Sequence, residues 1–127
     1  MSPTRHLVFI FADHFEPQTP DQVQAWINGY PPMAGRFADS DGRPPRHTWF
    51  YDGQDPAVLD ALAGLARQGL GEVEYHLHHG FDTPASLTER IEKVKRIFAQ
   101  HGALVTIDDP PRATYAVTHG KWSLCNS

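Results

Sequence analysis

Residues 6–12, HLVFIFA, are apolar at successive positions instead of alternate ones. A strand of that kind needs cover on both faces, which is the situation of a central strand in a parallel sheet. Downstream, segments of strand character alternate with segments of helical period, and that alternation argues for parallel βαβ units in an α/β fold. Thr19 as cap, Pro20 in the first turn and Gly29 as stop predict a helix over 19–29. Asp55 and Pro56 open a second helix, with Val58, Leu59, Leu62, Leu65 and Ala66 forming one buried stripe. Thr83 and Pro84 open a third, although Ser86 with Glu89 offers a capping box one turn later. Leu87, Ile91, Val94 and Phe98 form its core face, and His101-Gly102 ends it.

The remaining strands are expected at 47–51 (HTWFY), 72–78 (EVEYHLH), 103–107 (ALVTI) and 114–118 (TYAVT). Residues 30–46, rich in Pro, Gly and Asp, read as a long loop. Trp26, Trp49 and Phe98 are expected in the core, and packing is also the better reading for Trp122. At 127 residues, the chain is long enough for one domain, 1–127, with a modest core.

The net charge of −4 leaves no basic footprint for nucleic acid. No apolar run reaches the roughly 20 residues of a membrane span. The apolar start runs into Asp13 and His14 with no small-residue cleavage site, which reads as a strand and not as a signal peptide. The lone Cys125 excludes an internal disulfide framework and fits a reducing cytoplasm.

Chemistry concentrates where strands end. Asp13 and His14 follow the first strand, His76, His78 and His79 close the third, and His119 follows the last. Parallel strands bring their carboxyl ends to one rim, where α/β proteins bind ligands. The strand at 72–78 has period two: Val73, Tyr75 and Leu77 on one face, Glu74, His76 and His78 on the other. His76 and His78 therefore point the same way and can chelate a divalent transition metal together. Asp13 would add an oxygen ligand, and Glu74 could orient a ligand histidine. His14, Glu16, His79 and His119 remain for proton transfer or further ligation. His6, His47 and His101 are taken as structural, and for His119 alone a solvated or packed role is the simpler reading.

FADHFEP closing the first strand, GEVEYHLHHGFDT closing the third, the LTERIEKVKRIFAQHG helix and YAVTHGKW together resemble the first half of a polysaccharide-deacetylase-like protein, in a divergent bacterial branch related to carbohydrate esterase family four. The resemblance implies half of a distorted (β/α) barrel and a metal, zinc first. It also implies an activity: removal of acyl groups from carbohydrate, or another small acylated substrate, by metal-activated water. By motif, Asp13 matches the metal-binding Asp and His76 the first metal His. Ala12 stands where the family's base belongs, leaving Glu16 or His14 for that role. Gly80 stands where the second metal His belongs, which leaves His78 or His79, and strand geometry favours His78. The later motifs are absent, so the half barrel implies completion by oligomerisation or by more chain, and a homo-oligomer is expected from its unpaired edges. The alternative function is a non-catalytic metal- or glycan-binding module that keeps the ligands without the base.

Overall fold

In a computed structural model of the chain, residues 5–78, 80–107, 112–114 and 117–119 are described. Their elements run β1 (Phe11–His14), α1 (Pro20–Ala34), β2 (His47–Tyr51), α2 (Pro56–Arg67), β3 (Gly71–Leu77), α3 (Pro84–Gln100), β4 (Val105–Ile107), β5 (Arg112–Thr114) and β6 (Val117–His119). The main sheet has the order β1-β2-β3-β6, and each neighbouring pair is parallel. β4 and β5 form a separate antiparallel pair. The result is an α/β fold with parallel βαβ units and an open sheet, not a closed barrel.

Alternation decides which face meets the helices. Trp49, Tyr51, Val73, Tyr75 and Leu77 are buried, and with Leu59, Leu62, Leu65 and Phe98 from α2 and α3 they make the core. Each such side chain contributes roughly 1.5–3 kcal/mol relative to exposure. Trp26 of α1 packs edge-on to Trp49, with ring centroids 5.9 Å apart. The opposite face carries Thr48, Phe50, Glu72, Glu74 and His76, and Thr48 Oγ1 donates to Glu72 Oε1 at 2.9 Å. The sheet is thus apolar where helices cover it and largely polar on the other side.

Helix starts follow their caps. Asp55 accepts from the Ala57 amide at 2.8 Å, and Thr83 Oγ1 accepts from the Ser86 amide at 3.2 Å. The Ser86 hydroxyl in turn accepts from the Thr83 amide, so α3 starts at the earlier of its two sequence signals. Gly71 begins β3 because a Cβ there would overlap the His47 carbonyl and the Trp49 ring.

The strand expected at 103–107 is shorter, β4 at Val105–Ile107, and in place of one strand at 114–118 there are β5 and β6, of which only β6 joins the parallel sheet. Two further boundaries differ from expectation. α1 runs past Gly29 and through Pro31 and Pro32 to Ala34. Prolines near a helix C-terminus remove only a few amide donors, and burial of Tyr30 and Ala34 holds the last turns in place. Tyr30 Oη also donates to the Pro45 carbonyl at 3.0 Å, which pins the shortened loop.

The first strand is also shorter than HLVFIFA and later, and β1 lies at the sheet edge instead of its centre. Phe11 pairs with His47, so continuing the register backwards would set residues 8 and 9 against Pro44 and Pro45. Neither proline has an amide hydrogen to give the ladder. Leu7, Val8, Phe9 and Ile10 are consequently left exposed. No helix among the described residues is long and apolar enough to cross a membrane.

Candidate metal centre

Asp13 and His14 are consecutive on a strand, so they point to opposite faces. Asp13 faces the helix layer, where its Oδ1 lies 3.1 Å from Nε2 of His47. His47 is buried against Trp26, Tyr30 and Trp49, with ring centroids 4.7, 5.9 and 5.1 Å away. The 3.1 Å contact is within ion-pair reach but is not aligned as a hydrogen bond. Asp13 is therefore not brought together with His76; it is half-exposed and pairs with the buried His47 on the far side of the sheet.

His14 faces the other way and packs against His76, with ring centroids 4.3 Å apart and planes tilted by 47°. The register explains the meeting: His14 lies level with Phe50, Phe50 level with Glu74, and His76 is two residues further along β3 on the same face. The alternation continues past β1: Phe15 packs on Trp26 and Tyr51 of the helix side while its amide donates to the Phe50 carbonyl at 2.8 Å, and Glu16, two residues after His14, lies on this face. Its Oε1 lies 3.0 Å from His76 Nδ1 and 3.1 Å from His78 Nε2. The His78 contact is a hydrogen bond. The His76 contact is not, because the carboxylate lies off the required line, and neither ring nitrogen of His76 has a hydrogen-bond partner among the described residues.

His14, Glu16 and His76 each offer a ligand atom, and the three atoms all lie within 4.8 Å of one another. Two imidazoles and a carboxylate are a donor set that zinc accepts. His76 is fully buried, and burial first, then the neighbouring His14 and His78, pushes its pKa below the ordinary histidine value. A neutral ring is the form that binds a cation. A fully buried imidazole with both nitrogens unpartnered is costly in a packed interior, and a cation between the three donors would satisfy it.

The sequence expected Asp13, His76 and His78 as ligands, with His14 and Glu16 left for proton transfer. The structure groups His14 and Glu16 with His76 instead. His78 is half-exposed, holds Glu16 Oε1 and lies with its ring tilted against His76, centroids 4.4 Å apart. Arg90 Nη1 donates to its carbonyl at 2.6 Å and Arg90 Nη2 donates to Asp82 Oδ1 at 3.3 Å, tying the end of β3 to α3. Glu74 is buried on the same face, two residues before His76. His79 lies outside the described residues, as do Trp122 and Cys125. His119 ends β6 level with Leu77, and only its backbone is described. Strand alternation applied to Asp13-His14 was the signal that separates the two.

A cleft of about 800 Å³ opens beside this group, between the starts of α1 and α2 at the carboxyl ends of β1 and β2. Glu16 and His78 form part of its wall. Val23, Ile27, Val58 and Ala61 give it an apolar side, and Gln18, Gln24, Gln54 and Tyr51 line it with neutral polar groups. Its charged lining is acidic, from Glu16, Asp52 and Asp55, with no Lys or Arg among the described residues. Comparison with models of known protein families, with curated proteins and with solved structures returned no match.

Proposed function

We propose that the chain is a metal-dependent hydrolase that removes acyl groups from carbohydrate or a similar uncharged, hydroxyl-rich substrate, with a divalent metal, zinc first, held by His14, Glu16 and His76. The observation that carries this reading is the convergence of those three donors on a buried imidazole whose nitrogens are otherwise unpaired. A metal held there supplies a water of lowered pKa and polarises an acyl carbonyl.

The cleft supports the substrate class. Apolar surface beside amides and a phenol suits a sugar ring, which has apolar faces and hydroxyl edges. An acidic lining without cations disfavours phosphate or carboxylate substrates. His78, bonded to Glu16 and standing in the cleft wall, is placed to orient that carboxylate and to meet substrate. Of the residues matched by the resemblance to the polysaccharide-deacetylase-like group, His76 stands in this centre and Asp13 does not, so the resemblance bears on the reaction through GEVEYHLHHG alone.

Metal analysis of protein purified without an affinity tag tests the site, and acetate release from N-acetylated oligosaccharides tests the reaction, with His76→Ala as control for both. Release that depends on both metal and His76 is the expected result. Bound metal without release would favour the glycan- or metal-binding module, and absence of stoichiometric metal would remove the hydrolase reading altogether.

A further inference from the structure

The exposed run before β1 is the largest apolar feature that the candidate site does not use. Leu7, Val8, Phe9 and Ile10 are 83, 77, 73 and 84% exposed, and Phe11 is 47% exposed. The segment is extended there, since the Phe9 and Phe11 rings stack at 6.0 Å with planes 15° apart, as side chains two apart on a strand do. β1 has a strand partner on one edge only among the described residues. Proteins usually protect such edges with lysine, proline or a bulge, and residues 6–12 carry no lysine or proline.

We infer that this edge pairs antiparallel with the same edge of a second copy of the chain, in a register centred on Phe9. The occupant is chosen by self-complementarity. Centring on Phe9 sets Phe9 against the partner's Phe9 and Leu7 against the partner's Phe11. It also sets Arg5 against the partner's Asp13, and all these side chains share one strand face. Opposite charges therefore meet at both ends of an apolar centre, which favours this register over its neighbours. Pairing brings Leu7, Phe9 and Phe11 of each copy, all exposed in the isolated chain, into cross-strand contact on one face. The two metal centres lie at opposite ends of the paired segment, with His14 roughly 30 Å from its counterpart, so each works without the other.

Light scattering on the full 127-residue chain should give twice the 14.2 kDa mass. Phe9→Asp should give the single mass with an unchanged circular dichroism spectrum, since Phe9 is exposed in the isolated chain. Arg5→Glu should weaken association at least tenfold, and Arg5→Lys should leave it unchanged. The register is read by mild oxidation in a Cys125→Ser background. Phe9→Cys should cross-link to itself, whereas Leu7→Cys and Phe11→Cys should cross-link to each other when mixed and not alone. A monomeric wild type, a Phe9→Asp variant that stays dimeric, or self-cross-linking at position 7 or 11 would each overturn the inference. None of these readouts uses metal or substrate, so the outcome is independent of the hydrolase reading.

Discussion

Replacing His76 with leucine should make the metal-free protein more stable while removing its response to zinc. His76 is fully buried, and neither of its ring nitrogens has a hydrogen-bond partner among the described residues. A buried polar group left unsatisfied costs about 1–3 kcal/mol, and an apolar side chain of similar volume does not incur that cost. Glu16 does not become a buried orphan in the variant, because its side chain is 45% exposed and keeps its hydrogen bond to His78. The neighbouring rings of His14 and His78 are close enough to pack on a leucine. For 127 residues the unfolding entropy is roughly 0.27 kcal/mol per kelvin, so the apo Tm should rise by roughly 4–10 °C.

Zinc should raise the stability of wild type alone. At a free concentration a hundred times its Kd, a ligand that binds only the folded state adds about 2.7 kcal/mol, or roughly 10 °C here. Wild type should show that rise and His76→Leu none, so the order of the two Tm values should narrow or invert on adding metal. Differential scanning calorimetry of both proteins, with chelator and with zinc, makes the measurement. A His76→Leu variant that loses stability in chelator, as an ordinary core truncation does, would refute the claim that the imidazole is held there at a cost. An equal zinc response in both proteins would refute its role as a ligand.

Asp13→Asn should leave zinc affinity within about twofold, because Asp13 faces His47 across the sheet from His76, and it should cost less than about 1 kcal/mol, since the Asp13 side chain is 39% exposed; isothermal titration and denaturant unfolding read the two quantities. The lowered pKa of His76 gives a pH dependence: its stabilising contribution is fully present above the unfolded value of 6.5 and is lost as pH falls from there towards the folded value. The slope approaches 1.4 kcal/mol per pH unit in that window, and it should vanish from urea titrations of His76→Leu. Gly71→Ala should destabilise by about 1–3 kcal/mol or more, because its methyl group would meet the His47 carbonyl and the Trp49 ring; a neutral result in chemical denaturation would show that β2 and β3 can separate there without loss.

What the sequence disclosed depended on whether the deciding interaction was local. Asp55-Pro56 and Thr83-Pro84 carry their own caps, so α2 and α3 begin where those residues say. HTWFY became β2 with the same limits, 47–51. α1 was misjudged because Gly29 and Pro31-Pro32 are local stop signals, whereas what keeps the helix going is burial of Tyr30 and Ala34 against distant residues. HLVFIFA was read as a central strand from its composition, but a strand also needs a neighbour able to bond with it. Pro44 and Pro45, more than thirty residues away, decide that β2 provides none.

The same distinction governs the metal centre. The crowding of His76 and His78 was visible from spacing, and so was their common face. The oxygen ligand was not, because a carboxylate chosen by motif, Asp13, and one chosen by geometry, Glu16, are only three residues apart yet serve opposite faces of the sheet. Alternation along β1 gives His14, not Asp13, to the face of His76, and this could have been applied to the sequence at once. The same alternation carried two residues past His14 gives Glu16 to that face as well: Phe15 between them packs on Trp26 and Tyr51 of the helix side, and its amide still donates to the Phe50 carbonyl. A three-donor group assembled from the end of one strand, the residues just after it and the end of another is therefore only partly written in any one segment; it exists because β2 holds β1 and β3 in the register that sets His14, Phe50 and Glu74 level. A shift of one residue between β2 and β3 would turn His76 and His78 together to the helix side, and a shift of one between β1 and β2 would turn His14 there, so either would dismantle the group.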